Sequence, residues 1–152
     1  MDTSDIPIIL DNGKLRYDAI HHYNISQEQL DWLVNKALVF DEEGWTILIF
    51  SHVALVNDNK AKLYCDGNHL IIGEVLRAYK NGEECQIERY ENELRRTVDT
   101  DFSKYHRGEI AACFAGHTHN DLETKVNGIN YIITANSIMY PEGRRYKNRT
   151  AF

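Results

Sequence analysis

Three histidines carry the chemistry this sequence offers. His117 and His119 stand two residues apart in FAGHTHND, residues 114–121, and His52 follows the apolar run TILIF, residues 46–50. Neutral imidazole is the commonest side-chain ligand for metal ions and suits zinc, iron and related divalent ions. In an extended segment residues i and i+2 point to the same side, so His117 and His119 can address one target. Gly116 before the pair is expected to let the backbone turn sharply. The other reading is a solvated polar loop at a strand end, and a single strand-end histidine has little weight against it. What favours metal ligation is the joint placement: two strand ends each carry imidazole, and layered α/β sheets gather their ligands at the carboxyl ends of strands.

Placing these histidines requires strands before them and helices to cover the strands. TILIF is a short, continuous apolar run with β-branched residues, the pattern of a strand buried on both faces. AACF, residues 111–114, predicts a second strand ahead of His117. SQEQLDWLVNKAL, residues 26–38, predicts a helix, with Ser26 as N-cap and Gln29 completing a capping box. Its apolar stripe is Leu30, Leu33, Val34, Ala37 and Leu38, and Asp41, Glu42, Glu43 and Gly44 end it. Residues 70–80 predict a second helix, with Ile72, Val75, Leu76 and Tyr79 on one face and Asn81-Gly82 as the stop. LETKV (122–126) and YIITA (131–135) are joined by Asn127-Gly128, a hairpin signal. Residues 1–25 read as irregular, with a turn at Asp11-Asn12-Gly13, and the charged stretch 83–108 fits neither period. The order predicts an α/β layered domain, a sandwich of sheet and helix, with residues 1–152 forming one domain.

Bulk properties narrow the function classes. A chain of 152 residues is the size of one domain with a substantial core. The net charge of −6 speaks against broad phosphate-backbone binding, and the one basic cluster, Arg144, Arg145, Lys147 and Arg149, reads as a solvated tail. No stretch approaches the ~18 apolar residues of a membrane span. The acidic start MDTSDIPIIL lacks the features of a secretory signal. Cys65, Cys85 and Cys113 are odd in number and widely spaced, so free thiols in a reducing cytoplasm are expected.

The S-H at a strand end, followed much later by an apolar strand and G-H-T-H-x-D, resembles the calcineurin-like metallophosphoesterase family. SQEQLDWLVNKAL is similar to the helix that precedes the S-H strand in phage and bacterial members. DTDFSKYHRGEIAACFAGHTHND is similar to the family's approach to its last motif, and the resemblance covers nearly the whole chain. It implies two divalent ions (manganese, iron or zinc), about 3.5–4 Å apart, that clamp a phosphoryl group for in-line attack by an activated water. On that pattern His52 and His117 match ligands of one metal and His119 a ligand of the other.

The departures are specific. The family's motifs run D-x-H, G-D-x-x-D, G-N-H-D or G-N-H-E, a lone histidine, then G-H-x-H, and this chain carries the last two. The absent residues would supply the carboxylate that bridges the two metals. Three imidazoles can hold one ion, as in His₃ zinc sites, so at most one is expected on this chain alone. Asp66-Gly67-Asn68-His69 contains G-N-H, but out of order and with Leu70 in the acid's place, so Asn68 is expected as a helix cap or turn residue. His21-His22 reads as structural, and Ala54 stands where the family usually has proline. MDTSDIP and NRTAF resemble pieces of family strands, so the expected fold is an incomplete, C-terminal part of a metallophosphoesterase domain. Such a sheet would expose edges, to be covered by a second copy or another chain. The expected function is a phosphoesterase active when the missing ligands come from elsewhere. The alternative is an inactive remnant or a repurposed binding or interaction module.

Overall fold

The computed structural model describes residues 1–3, 12–14, 24–56, 68–91, 94–118 and 121–134. His21, His22, Cys65, His119, the Gly67 of the G-N-H stretch and the basic cluster at 144–149 lie outside them, as do the side chains of Asn68 and His69. The cap expected of Asn68 therefore also lies outside the described part.

Ser26 opens helix α1, Gln27–Trp32, from an extended conformation, and its Oγ accepts from the Gln29 N–H at 3.1 Å. The helix continues as a π turn, Leu33–Ala37. Leu30, Leu33, Val34 and Leu38 of the expected stripe are buried, whereas Trp32 is exposed. The Gln29 side chain has a use the capping-box reading does not contain. Its amide donates to the Asp2 carbonyl and accepts from the Asp2 N–H, each at 2.7 Å. Helix α2, Asn68–Asn81, buries Ile71, Ile72, Val75, Leu76, Ala78 and Tyr79 completely. It stops at Gly82, whose φ of 67° is the left-handed conformation typical after a helix C-terminus.

Six strands are described: β1 Thr46–Phe50, β2 Glu84–Glu91, β3 Leu94–Asp101, β4 Glu109–Ala115, β5 Leu122–Val126 and β6 Ile129–Ile133. They form a four-stranded sheet of order β1-β4-β6-β5 and a separate antiparallel pair, β2-β3. β1, β4 and β6 run parallel, and β5 returns antiparallel to β6. The expected hairpin is there. Asn127 and Gly128 have φ of 52° and 75°, as a two-residue type I′ turn needs. The β2-β3 pair and a short 3₁₀ turn, Phe102–Lys104, occupy the stretch whose sequence fits neither period. The fold is mixed α/β, and no described helix is long and apolar enough to cross a membrane.

The expectation for TILIF needs correction. β1 is at the edge of the described sheet, and only Ile49 of its five residues is buried. Ile49 packs into the core with α1, α2, Ile110, Cys113, Tyr131 and Ile133. Leu48 and Phe50 point the other way and are 51% and 60% exposed. A continuous apolar run cannot distinguish a strand sealed on two faces from one whose second face is uncovered by the rest of the described chain.

Candidate metal centre

The site begins with an irregularity in β1 and β4. Thr46 and Ile47 face Glu109 and Ile110, but Leu48 faces Ala112, so Ala111 is an extra residue bulging from β4. The Asn130 side chain, on neighbouring β6, donates to the Ala111 carbonyl at 3.1 Å. Beyond the bulge the register is regular, with Ile49 opposite Cys113 and Phe50 opposite Phe114.

The ladder continues past both strand ends. Ser51 N–H donates to the Phe114 carbonyl at 3.0 Å. The His52 carbonyl then accepts from two successive N–H groups, Gly116 at 3.1 Å and His117 at 3.0 Å. This double acceptance anchors the turn after β4. Gly116 does not have a left-handed φ, and a Cβ on it would meet nothing within 4 Å, so the expected glycine-enforced turn is not how the chain bends here. On the other side, Val53, Ala54, Leu55 and Val56 dive into the interior, and Val53 N–H donates to Thr3 Oγ1 at 3.4 Å. His52 is thus held between a paired residue and four buried ones, which fixes its backbone while leaving the side chain exposed.

These constraints bring two of the three expected ligands together. His117 Nδ1 lies 3.1 Å from His52 Nε2, with ring centroids 5.0 Å apart and planes at 70°. Two ligand atoms on one divalent ion, each about 2.1 Å from it, stand roughly 3.0–3.4 Å apart in adjacent octahedral or tetrahedral positions. The observed spacing fits that requirement. It equally fits one ring N–H donating to the other ring's lone pair, a contact that an ion would replace. Thr118 Oγ1, immediately after His117, is buried without a hydrogen-bond partner. A buried, unsatisfied hydroxyl next in sequence to His117 is a polar cost that a bound group or water would relieve.

The carboxyl end of β6 closes the same corner. Thr134 N–H donates to the Ala115 carbonyl at 2.9 Å. Three parallel strand ends therefore converge there, the placement at which open α/β sheets bind ligands. Compared with protein-family models, curated proteins and solved structures, the chain matches none. Among the described residues, no group of three or more His, Cys, Asp or Glu side chains is placed to hold an ion. His119 lies outside the described residues, so the structure joins His52 to His117 and leaves the third expected ligand unplaced. Sequence reasoning missed Thr118 and the bulge. Thr118 was in view inside the G-H-T-H motif, whereas nothing in AACF marks Ala111 as an inserted residue.

Proposed function

We propose that this chain carries the histidine wall of a metallophosphoesterase-type centre and acts in metal-dependent hydrolysis of a phosphoric ester. The observation that supports it most is the 3.1 Å approach of His117 Nδ1 to His52 Nε2 at the ends of two adjacent parallel strands. His52 and His117 would hold one divalent ion, and His119, by the resemblance, would reach a second. A bound ion would polarise a phosphoryl oxygen and lower the pKa of a coordinated water. The chain's own part would be to present two imidazole nitrogens to one ion, on backbone that the shared His52 carbonyl keeps from shifting. In this reading the domain is part of a metallophosphoesterase fold, and the bridging carboxylate comes from outside the described residues.

The alternative rests on the D-x-H and G-D-x-x-D motifs that the sequence does not carry. It makes the chain a binding module that holds an ion without turning over ester.

Metal content and turnover separate the two. The protein is loaded with Mn²⁺ or Zn²⁺, desalted, and assayed for bound metal and for hydrolysis of a generic phosphodiester, beside His52→Ala, His117→Ala and His119→Ala. The hydrolytic reading expects bound metal and turnover, both lost in His52→Ala and His117→Ala. Bound metal without turnover selects the binding module. Wild-type protein that retains no metal overturns both.

A further inference from the structure

The sheet has a second face that the candidate metal centre does not use. Hydrogen-bonded neighbours share a face, so the registers define two rows across it. Phe50, Phe114, Ile132 and Glu123 form one row. Leu48 and Ala112 continue on the same face one step down their strands, with Asn130 and Lys125 paired beside them. Phe50 and Phe114 stack side by side, ring centroids 5.1 Å apart and planes at 12°, as an aromatic platform. Leu48 and Phe50 are half or more exposed, while Glu123 and Lys125 are exposed at the far edge on β5. An apolar surface of this kind on a sheet is what sandwich proteins bury against another sheet, about 10 Å away.

We propose that this face is an isologous interface between two copies of the chain. The argument is the order of residue types in the two rows. A two-fold axis running across the strands, between the rows, lays each strand over its own copy in the reverse direction. Each residue of one row then meets its strand-mate from the other row. Phe50 faces the partner's Leu48, Phe114 faces the partner's Ala112, Ile132 faces the partner's Asn130, and Glu123 faces the partner's Lys125. Exposed Phe50 and Leu48 meet as an apolar pair at one edge, Phe114 lies over the buried Ala112, Ile132 meets an amide, and at the other edge each acid meets a base. A face shaped for an unrelated partner has no reason to be complementary to itself under rotation. The face is also neutral in its charged pair although the whole chain carries −6, so contact there avoids much of the repulsion between copies. Four strands about 4.8 Å apart and five residues long, at about 3.3 Å each, cover roughly 320 Å² per copy, below the size of a standard stable interface, so the dimer is weak, with a dissociation constant on the order of a hundred micromolar. This inference does not depend on metal binding.

Sedimentation equilibrium in chelator, from micromolar to several hundred micromolar chain, tests it. Wild type is expected to pass from monomer to dimer across that range. E123K and K125E each place like charges at two symmetry-related positions and are expected to raise the dissociation constant about tenfold. The double variant E123K/K125E restores the pairing and is expected to return to within about twofold of wild type. Phe50→Asp is expected to be monomeric throughout, with an unchanged far-ultraviolet circular dichroism spectrum. If Phe50→Asp fails to fold, the surface charge set decides alone. Wild type that stays monomeric overturns the proposal, which would leave the face to a different partner. So does a dimer indifferent to the single reversals, or one that the double variant fails to restore.

Discussion

The Asn130 amide donates to the carbonyl of Ala111, the one residue that β4 inserts into its pairing with β1. That contact lies one strand away from the candidate metal centre yet governs it, because the bulge sets which β4 residues stand opposite Ser51 and His52. Without the insertion, Ala115 rather than Gly116 would stand level with His52, and the His117 ring would be displaced along the strand. Asn130→Ala removes a hydrogen bond from the half-buried bulged carbonyl, which costs about 1 kcal/mol. Its metal dissociation constant is expected to rise about tenfold, as when supporting groups around a metal ligand are removed. Unfolding in urea and a Mn²⁺ or Zn²⁺ titration of the same variant measure the two effects. A variant that loses stability but keeps wild-type metal affinity would detach the bulge from the site.

The metal binding proposed for His52 and His117 carries a consequence for stability. An ion that binds the folded chain and not the unfolded one stabilises it by RT ln(1 + [L]/Kd), about 2.7 kcal/mol at one hundred times the dissociation constant. The midpoint of thermal unfolding is therefore expected to climb with added Mn²⁺ or Zn²⁺ and to stay level in His52→Ala and His117→Ala. Equal shifts in wild type and variants would mean that the ion binds somewhere else.

The elements that position the site could be read from local patterns because local physics determines them. Ser26 and the stripe through Leu38 locate α1, Gly82 stops α2, and Asn127-Gly128 closes the β5-β6 turn. The convergence of His52 and His117 followed from strand-end placement, since parallel neighbours end at the same level. Three features were not legible. Leu48 and Phe50 lie in an apolar run that looks the same whether one face or two are covered. The β2-β3 pair is built from residues such as Glu88, Arg89, Arg95 and Arg96, whose charges hide its alternation, although Cys85, Arg96 and Val98 are buried. The Ala111 bulge is a product of three strands meeting, and no single segment encodes it.

Burial governs the thiols. Cys113 sits on the core face of β4 and Cys85 beneath α2's side of β2, and loss of solvation pushes their thiols up to about 12 and about 11 respectively. The thiolate is the reactive species. An alkylating reagent at pH 8 is therefore expected to leave Cys85 and Cys113 unmodified in the folded protein and to label both in urea, as read by peptide mass spectrometry. Rapid labelling of either one in native buffer would contradict the packing described here.

Asp101 gives the acid limb of stability a local cause. Its carboxylate meets Lys104 Nζ at 2.7 Å and accepts from Ser103 Oγ at 2.6 Å and Ser103 N–H at 3.0 Å, and these contacts lower its pKa to about 2. A carboxylate with a depressed pKa stabilises the fold at neutral pH, and that contribution fades as the pH falls from about 4 through about 2. Asp101→Asn is expected to be less stable than wild type at pH 7, with the gap narrowing down to pH 2. Urea midpoints for the two proteins across that range provide the check, and a constant gap would remove the carboxylate as its cause.

The Gln27 side chain acts on β3 as a short piece of neighbouring strand. Its amide donates to the Thr97 carbonyl at 2.7 Å and accepts from the Thr97 N–H at 2.9 Å. Gln29, two residues on, grips the Asp2 backbone in the same two-way manner. One turn of α1 thus ties the β2-β3 pair on one side to the N-terminal segment on the other, and Asn24 N–H adds a bond to the Thr3 carbonyl at 2.9 Å. The Gln27 contact also blocks the outer edge of β3, which would otherwise offer unpaired groups to another strand. Gln27→Ala exposes both Thr97 groups and is expected to cost about 1–2 kcal/mol. Gln27→Glu keeps the acceptor but loses the donor, so it is expected to fall between wild type and alanine. Measured by urea unfolding, that order separates a two-way backbone clamp from simple helix propensity, because alanine is the better helix former and propensity alone would stabilise it.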